Sequence, residues 1–233
     1  MTAIFKREFK SYFLNPIGYI VLAVNFFFLS VYFTYLYSLG SAAIEDVISS
    51  MHFIQVFTMP VITMRLFSDE RKHKTDQVLF TAPVRLSGIV LGKFFAAFCL
   101  YALCLSPTLI FEIIILSHVK ISILPYLYSL LGSLLLGGAL ISIGMFISSL
   151  TESVVIAAVM TLITDIIVLF ANSFAMLFGN DKLSNILSKI AFVDVASRFS
   201  VQVFSIPDVV YFLSIIAAFL FLSVRSIDRK RWA

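Results

Sequence analysis

The stretch Met64-Arg-Leu-Phe-Ser-Asp-Glu-Arg-Lys-His-Lys-Thr-Asp-Gln-Val-Leu-Phe-Thr-Ala-Pro-Val84 decides how this chain is read. It is a long polar interval set between two long apolar runs. Arg65, Arg71, Lys72, Lys74 and, just beyond, Arg85 interleave with Asp69, Glu70 and Asp76. A solvated spacer has no need of Val78-Leu79-Phe80 directly after such charges. A short amphipathic helix resting on another protein needs both the charges and the apolar tip, and Ala82-Pro83 supplies its end. The interval reads as a docking element.

The flanking runs set the fold class. Of 233 residues, 61% are hydrophobic and 13% charged, against about 45–50% and about 25% in soluble domains. At roughly 20 apolar residues per span, an all-α integral membrane protein of six transmembrane helices fills the chain. That leaves a single transmembrane domain over 1–233. Thirteen of the seventeen Lys and Arg fall at the N-terminus, in 65–93 or at 225–231. This asymmetry places both termini and the 64–85 loop in the cytoplasm, which requires an even number of spans. The charges flank spans instead of forming one face, so nucleic acid is not the expected partner; the lipid bilayer is.

Outward from the loop, residues 3–13 read as an amphipathic helix, with Phe5, Phe9, Tyr12 and Phe13 on one stripe and Lys6, Arg7 and Lys10 off it. Such a helix suits the cytoplasmic interface; a helical tail on the protein's own surface is the alternative. Lys6, Arg7, Glu8 and Lys10 exclude a signal peptide. Asn15-Pro16 then turns the chain into the membrane. The spans are expected at about 17–38, 50–66, 86–117, 126–149, 154–178 and 205–225. Residues 39–50 read as an outer loop, Pro60 as a kink or interruption, and Pro107 as a divider of the third span. Gly132, Gly137, Gly138 and Gly144 in the fourth span would let helices approach closely. Ser153 is placed to cap the fifth. Residues 179–206 are too apolar for a free loop and read as short helices at the outer interface.

Catalytic signatures are missing. Gly88-Ile-Val-Leu-Gly92-Lys93-Phe94 lacks phosphate-loop spacing and has Phe where a hydroxyl should hold magnesium. Cys99 and Cys104 are five residues apart in one helix, too far for a disulfide. His52, His73 and His118 are scattered, so no metal site, cofactor or enzymatic activity is expected in this chain. Two acids lie inside spans. Asp165 has Thr161 and Thr164 within a turn, and Glu112 lies in the outer half of the third span. A charge at the bilayer centre costs about 2.5–3.5 kcal/mol or more, so each should face protein or a water-filled cavity. Asp165 and Glu112 are candidates for a translocation path or subunit seam; helix-tying acids are the alternative.

Taken in order, Lys6 to Tyr19 (K-R-E-F-K-S-Y-F-L-N-P-I-G-Y), Asp69 to Val84, Leu91-Gly92-Lys93, Asp208 to Ser214 and the closing Arg231-Trp232 carry a family likeness. The chain resembles the permease subunits of ABC-2-type ABC transporters, in particular the group of gliding-motility-like exporters. Members commonly have a glycine before the loop threonine; Lys74 precedes Thr75 here. The resemblance implies an interfacial N-terminal helix and a coupling loop, 67–84, seated in a separate ATP-binding subunit, present in two copies. Asp69, Glu70, Arg71, Thr75, Asp76, Val78, Leu79 and Phe80 would make that contact. It further implies a second permease subunit, ATP and Mg confined to the ATP-binding subunit, and a multi-pass protein of a prokaryotic plasma membrane. Export of an amphipathic or hydrophobic compound is the function implied. A self-contained ion-driven carrier, channel or membrane scaffold is the alternative.

Overall fold

The structure, a computed structural model, describes residues 1–40, 44–73, 85–119, 122–171, 192–200 and 205–231. All regular structure among them is helical: α1 (Thr2–Leu14), α2 (Pro16–Ser38), α3 (Ile44–Thr63), α4 (Ser68–Lys72), α5 (Leu86–Leu105), α6 (Pro107–His118), α7 (Leu124–Leu150), α8 (Val154–Leu169), α9 (Phe192–Ser200) and α10 (Ile206–Arg231). Among the described residues, five apolar helical stretches are long enough to cross a membrane: 16–38, 44–72, 86–118, 124–150 and 206–229. The helix at Val154–Leu169 is apolar but shorter within the described residues. The chain is a multi-pass membrane protein.

Several boundaries differ from the expectation. Residues 44–49, read as outer loop, form the first turns of α3. Glu45 and Asp46 sit in that turn, where acids favour the positive end of the helix dipole. Pro60 lies inside α3 without ending it; the helix continues to Thr63, and Pro60 C=O still accepts from Met64 N–H at 2.8 Å. Ser106-Pro107 does divide the third span, into α5 and α6. Helix α10 runs past the expected end at Arg225 to Arg231. Ser153 caps α8 through Ile156 N–H at 3.5 Å. Of the expected outer helices over 179–206, Phe192–Ser200 is helical, and the stripe Leu183–Ala191 lies outside the described residues.

Helix α7 is the axle. Helices α10, α3 and α9 pack on it most extensively, and α5 and α8 complete the ring. In its apolar window 67% of residues are buried, against 22% in α2 and 17% in α10, which therefore lie at the periphery. The axle is crowded because it lacks side chains where neighbours cross. A Cβ on Gly137 would lie 2.1 Å from the Tyr101 ring, and one on Gly144 would lie 2.4 Å from Thr63 Oγ1. Polar links bind the same layer. Gln55 Nε2 donates to Tyr101 Oη at 2.5 Å, and that hydroxyl lies 2.9 Å from Ser133 Oγ. Interhelical hydrogen bonds of this kind contribute about 0.6 kcal/mol each, reaching about 1.7 kcal/mol.

The N-terminal helix folds back on the bundle. Phe5, Phe9 and Phe13 pack on the core, with successive ring centroids 5.8 and 5.2 Å apart. Helix α1 lies along α5 and α2, while Lys6 and Lys10 remain exposed.

Candidate functional site

The segment read as a docking element leaves α3 through a turn that α7 holds in place. Ser148 Oγ of α7 accepts from Phe67 N–H at 3.1 Å and from Ser68 N–H at 3.2 Å, and donates to Met64 C=O at 3.1 Å. These amides are the open donors at the start of α4, which a helix must satisfy from outside. Ser68 Oγ donates to Met64 C=O as well. One hydroxyl from the axle therefore fixes where α4 begins.

Lys93, two turns into α5, ties the elements together. Its side chain is 1% exposed. Nζ lies 2.6 Å from Leu66 C=O, 3.0 Å from Glu70 Oε2 and 3.2 Å from Glu8 Oε1, with the Phe67 ring centroid at 5.1 Å. An ammonium taken out of water costs several kcal/mol, which only several close oxygens can offset. Here the oxygens come from α1, α4 and the turn before it. Arg7 closes the circuit, with NH2 at 2.5 Å from both Glu8 Oε1 and Glu70 Oε1. Desolvation opposes the charge on Arg7, but Glu8 and Glu70 outweigh it and hold its pKa above the ordinary value. Tyr12 Oη donates to Ile62 C=O at 2.8 Å. Burial and then Glu8 push that phenol's pKa well above its usual value.

Between α1 and the end of α3 these groups line a cavity of about 230 Å³. Arg65 and Asp69 stand at its side, 3.8 Å apart and roughly a third exposed. Ile17 and Val61 form apolar wall. Helices α1 and α4 thus share one ion cluster.

Of the residues read as the docking contact, Asp69, Glu70 and Arg71 lie on α4 at this site. Thr75, Asp76, Val78, Leu79 and Phe80 fall outside the described residues. Asp165 and Glu112 stand apart from it on α8 and α6. Asp165 is 0% exposed within a single copy, and neither carboxylate oxygen has a hydrogen-bond partner among the described residues. Thr164 spends its hydroxyl on Met160 C=O, and Thr161 Oγ1 is also unpartnered among those residues. Glu112 is buried, not water-facing. The sequence reading missed Glu8, Lys93 and Ser148 as parts of the site. Lys93 carried a signal: a cation seven residues inside an apolar helix must find oxygen partners.

A family profile for the ABC-2 type transporter matches residues 1–180, which run from α1 beyond the described end of α8. The chain belongs to the ABC-2 type transporter family. A search of curated proteins gave no match. As an ABC-2 transporter chain, it is a membrane transport subunit, and the family works with an ABC ATP-binding subunit. Helices α9 and α10 lie beyond the matched residues.

Proposed function

We propose that this chain is the permease subunit of an ABC exporter, driven by ATP hydrolysed on two copies of a separate subunit that grips residues 69–84. Two permease subunits, each with six spans and cytoplasmic termini, would pair in a prokaryotic plasma membrane. The cargo class is an amphipathic or hydrophobic compound, and the motif order favours the gliding-motility-like group. One observation carries the reading: Lys93 joins Glu70 at the head of the docking segment to Glu8 on α1. A pull on 69–84 would then move α1, α4 and the base of α5 together, while Ser148 passes it to α7. Leu79 and Phe80 would fill an apolar pocket of the ATPase, with Glu70, Arg71, Thr75 and Asp76 around it. Buried apolar anchors carry most of such affinity, and rim charges set register. Leu79→Asp or Phe80→Asp should abolish co-purification of the ATPase while the permease stays inserted. Undiminished co-purification of both variants overturns the docking assignment.

The burial of Asp165, without hydrogen-bond partners among the described residues, favours a second reading, a self-contained ion-driven carrier. Cargo movement by the purified chain in vesicles, without any nucleotide hydrolase, would select it.

A further inference from the structure

The cavity beside the ion cluster shares Asp69 and Glu70 with the proposed docking contact, and the rest of its lining has a composition that the docking role does not use. Its lining holds three cations, Arg7, Arg65 and Lys93, and three acids, Glu8, Asp69 and Glu70. Lys93, Arg7, Glu8 and Glu70 satisfy one another at 2.5–3.2 Å. Arg65 and Asp69 form a looser ion pair at 3.8 Å, beyond hydrogen-bond length, and Asp69 Oδ1 faces His73 Nε2 at 3.9 Å. With no close hydrogen bond in either contact, the guanidinium fork and the carboxylate both keep bonding capacity toward the cavity. A group that satisfies this pair must carry an anion and a cation of its own.

Size and position narrow the choice. About 230 Å³ is smaller than the roughly 300–1,000 Å³ of sites for drug-sized molecules, so the space admits a headgroup and not a whole cargo. Its apolar wall is the first turn of α2 and the last turns of α3, Ile17 and Val61. Both helices belong to membrane-spanning stretches. With the cytoplasmic placement of the 64–85 loop proposed above, the cavity would lie at the depth where a phospholipid changes from acyl chain to headgroup.

We propose that this cavity binds the zwitterionic headgroup of a phospholipid of the same leaflet, of the phosphoethanolamine type. Arg65 takes the phosphate through its planar fork, and Asp69 accepts from the primary ammonium. The acyl chains leave along Ile17 and Val61. A quaternary ammonium has no N–H for Asp69, and an anionic headgroup leaves that carboxylate facing like charge. The site lies against α4, so an occupying lipid would hold the docking segment to the membrane. This deepens the exporter reading in its regulation, yet binding itself needs no ATPase.

The test is the thermal unfolding midpoint of the purified full-length permease in detergent. It is titrated with short-chain phosphatidylethanolamine, phosphatidylcholine or phosphatidylglycerol, or with free phosphoethanolamine. Phosphatidylethanolamine should give a saturable rise larger than the other three. Arg65→Gln should lose that rise while its midpoint without lipid stays near wild type, because Arg65 is 39% exposed. Asp69→Asn should level the ethanolamine and choline lipids. Lys10→Gln, an exposed charge on α1 away from the cavity, should keep the full response. Equal rises from all three lipids, or an unchanged ethanolamine response in Arg65→Gln, overturns the site. An equal response to free phosphoethanolamine overturns the lipid as its source. Loss of ATPase docking in the Leu79 and Phe80 variants leaves these measurements untouched, so the two proposals fail separately.

Discussion

Lys93 Nζ stands 3.0 Å from Glu70 Oε2, joining the base of α5 to the first turn of α4. The pair matters because the same ammonium also holds Glu8, from the other end of the site.

Replacing Lys93 by Met keeps the stem and removes the charge. Glu8 and Glu70 would then have Arg7 as the remaining cation between them, and Leu66 C=O would lose its donor. Breaking a buried pair costs about 3–5 kcal/mol. These carboxylates keep 15% and 18% exposure, so about 2–3 kcal/mol is expected. Chemical unfolding in detergent, together with faster amide exchange in α1 and α4, measures it. Unchanged exchange in α1 would remove Lys93 from its role as the link.

Ser148→Ala leaves the Phe67 and Ser68 amides without their acceptor. An unsatisfied buried donor costs about 1–3 kcal/mol. The loss should be local, with amides at 66–72 exchanging faster while α7 stays protected. Uniform destabilisation of the bundle would argue against a capping role.

Gly144→Ala and Gly138→Ala form a matched pair. The first methyl would meet Thr63 Oγ1 at 2.4 Å and Thr63 Cβ at 2.8 Å; the second meets the flexible end of Ile216 at 3.1 Å. Overpacking of the first kind costs about 1–3 kcal/mol. We expect a lower unfolding midpoint for Gly144→Ala and a near-wild-type one for Gly138→Ala. Equal effects would deny α7 its close crossing with α3.

Tyr12→Phe tests the phenol at the head of the cavity by its pH dependence. The folded chain keeps the Tyr12 proton to higher pH than the unfolded chain, whose tyrosine titrates near the ordinary 10.0. Above that pH the unfolded state binds fewer protons, so stability falls as pH rises. Wild type should lose stability faster than Tyr12→Phe above about pH 10, and in parallel with it below. Parallel curves throughout would mean the phenol is not buried.

Asp165→Asn should leave the fold intact and slow ATP-coupled transport in reconstituted vesicles with the ATPase. A buried acid on an apolar helix, without hydrogen-bond partners among the described residues, is a costly group to keep for packing alone. Transport at the wild-type rate would take Asp165 off the translocation path.

Much of this architecture could be read from residue order. Helices α1, α2 and α7, the break at Ser106-Pro107 and the cap at Ser153 follow from local signals: apolar runs, prolines and one well-placed hydroxyl. The start of α3 did not, because Glu45 and Asp46 look like loop residues until the helix dipole that welcomes them is known. At the site, the charges of α4 were legible as a polar interval between apolar runs. The partners of those charges were not, because Glu8 and Lys93 lie sixty-two and twenty-three residues from Glu70. Only the fold-back of α1 along α5 makes them neighbours. Asp165 was visible as an anomaly, and its complete enclosure within one copy could come only from the packing of α8.

The contrast between a sheathed α7 and the nearly bare α2 and α10 has a consequence for how the protein senses its surroundings. Bilayer thickness and fluidity act first on helices that touch lipid, and α7 is screened from them by its neighbours. Changing the lipid chain length should therefore shift how the outer helices tilt and pair, while the route from Ser148 into the middle of the bundle stays insulated.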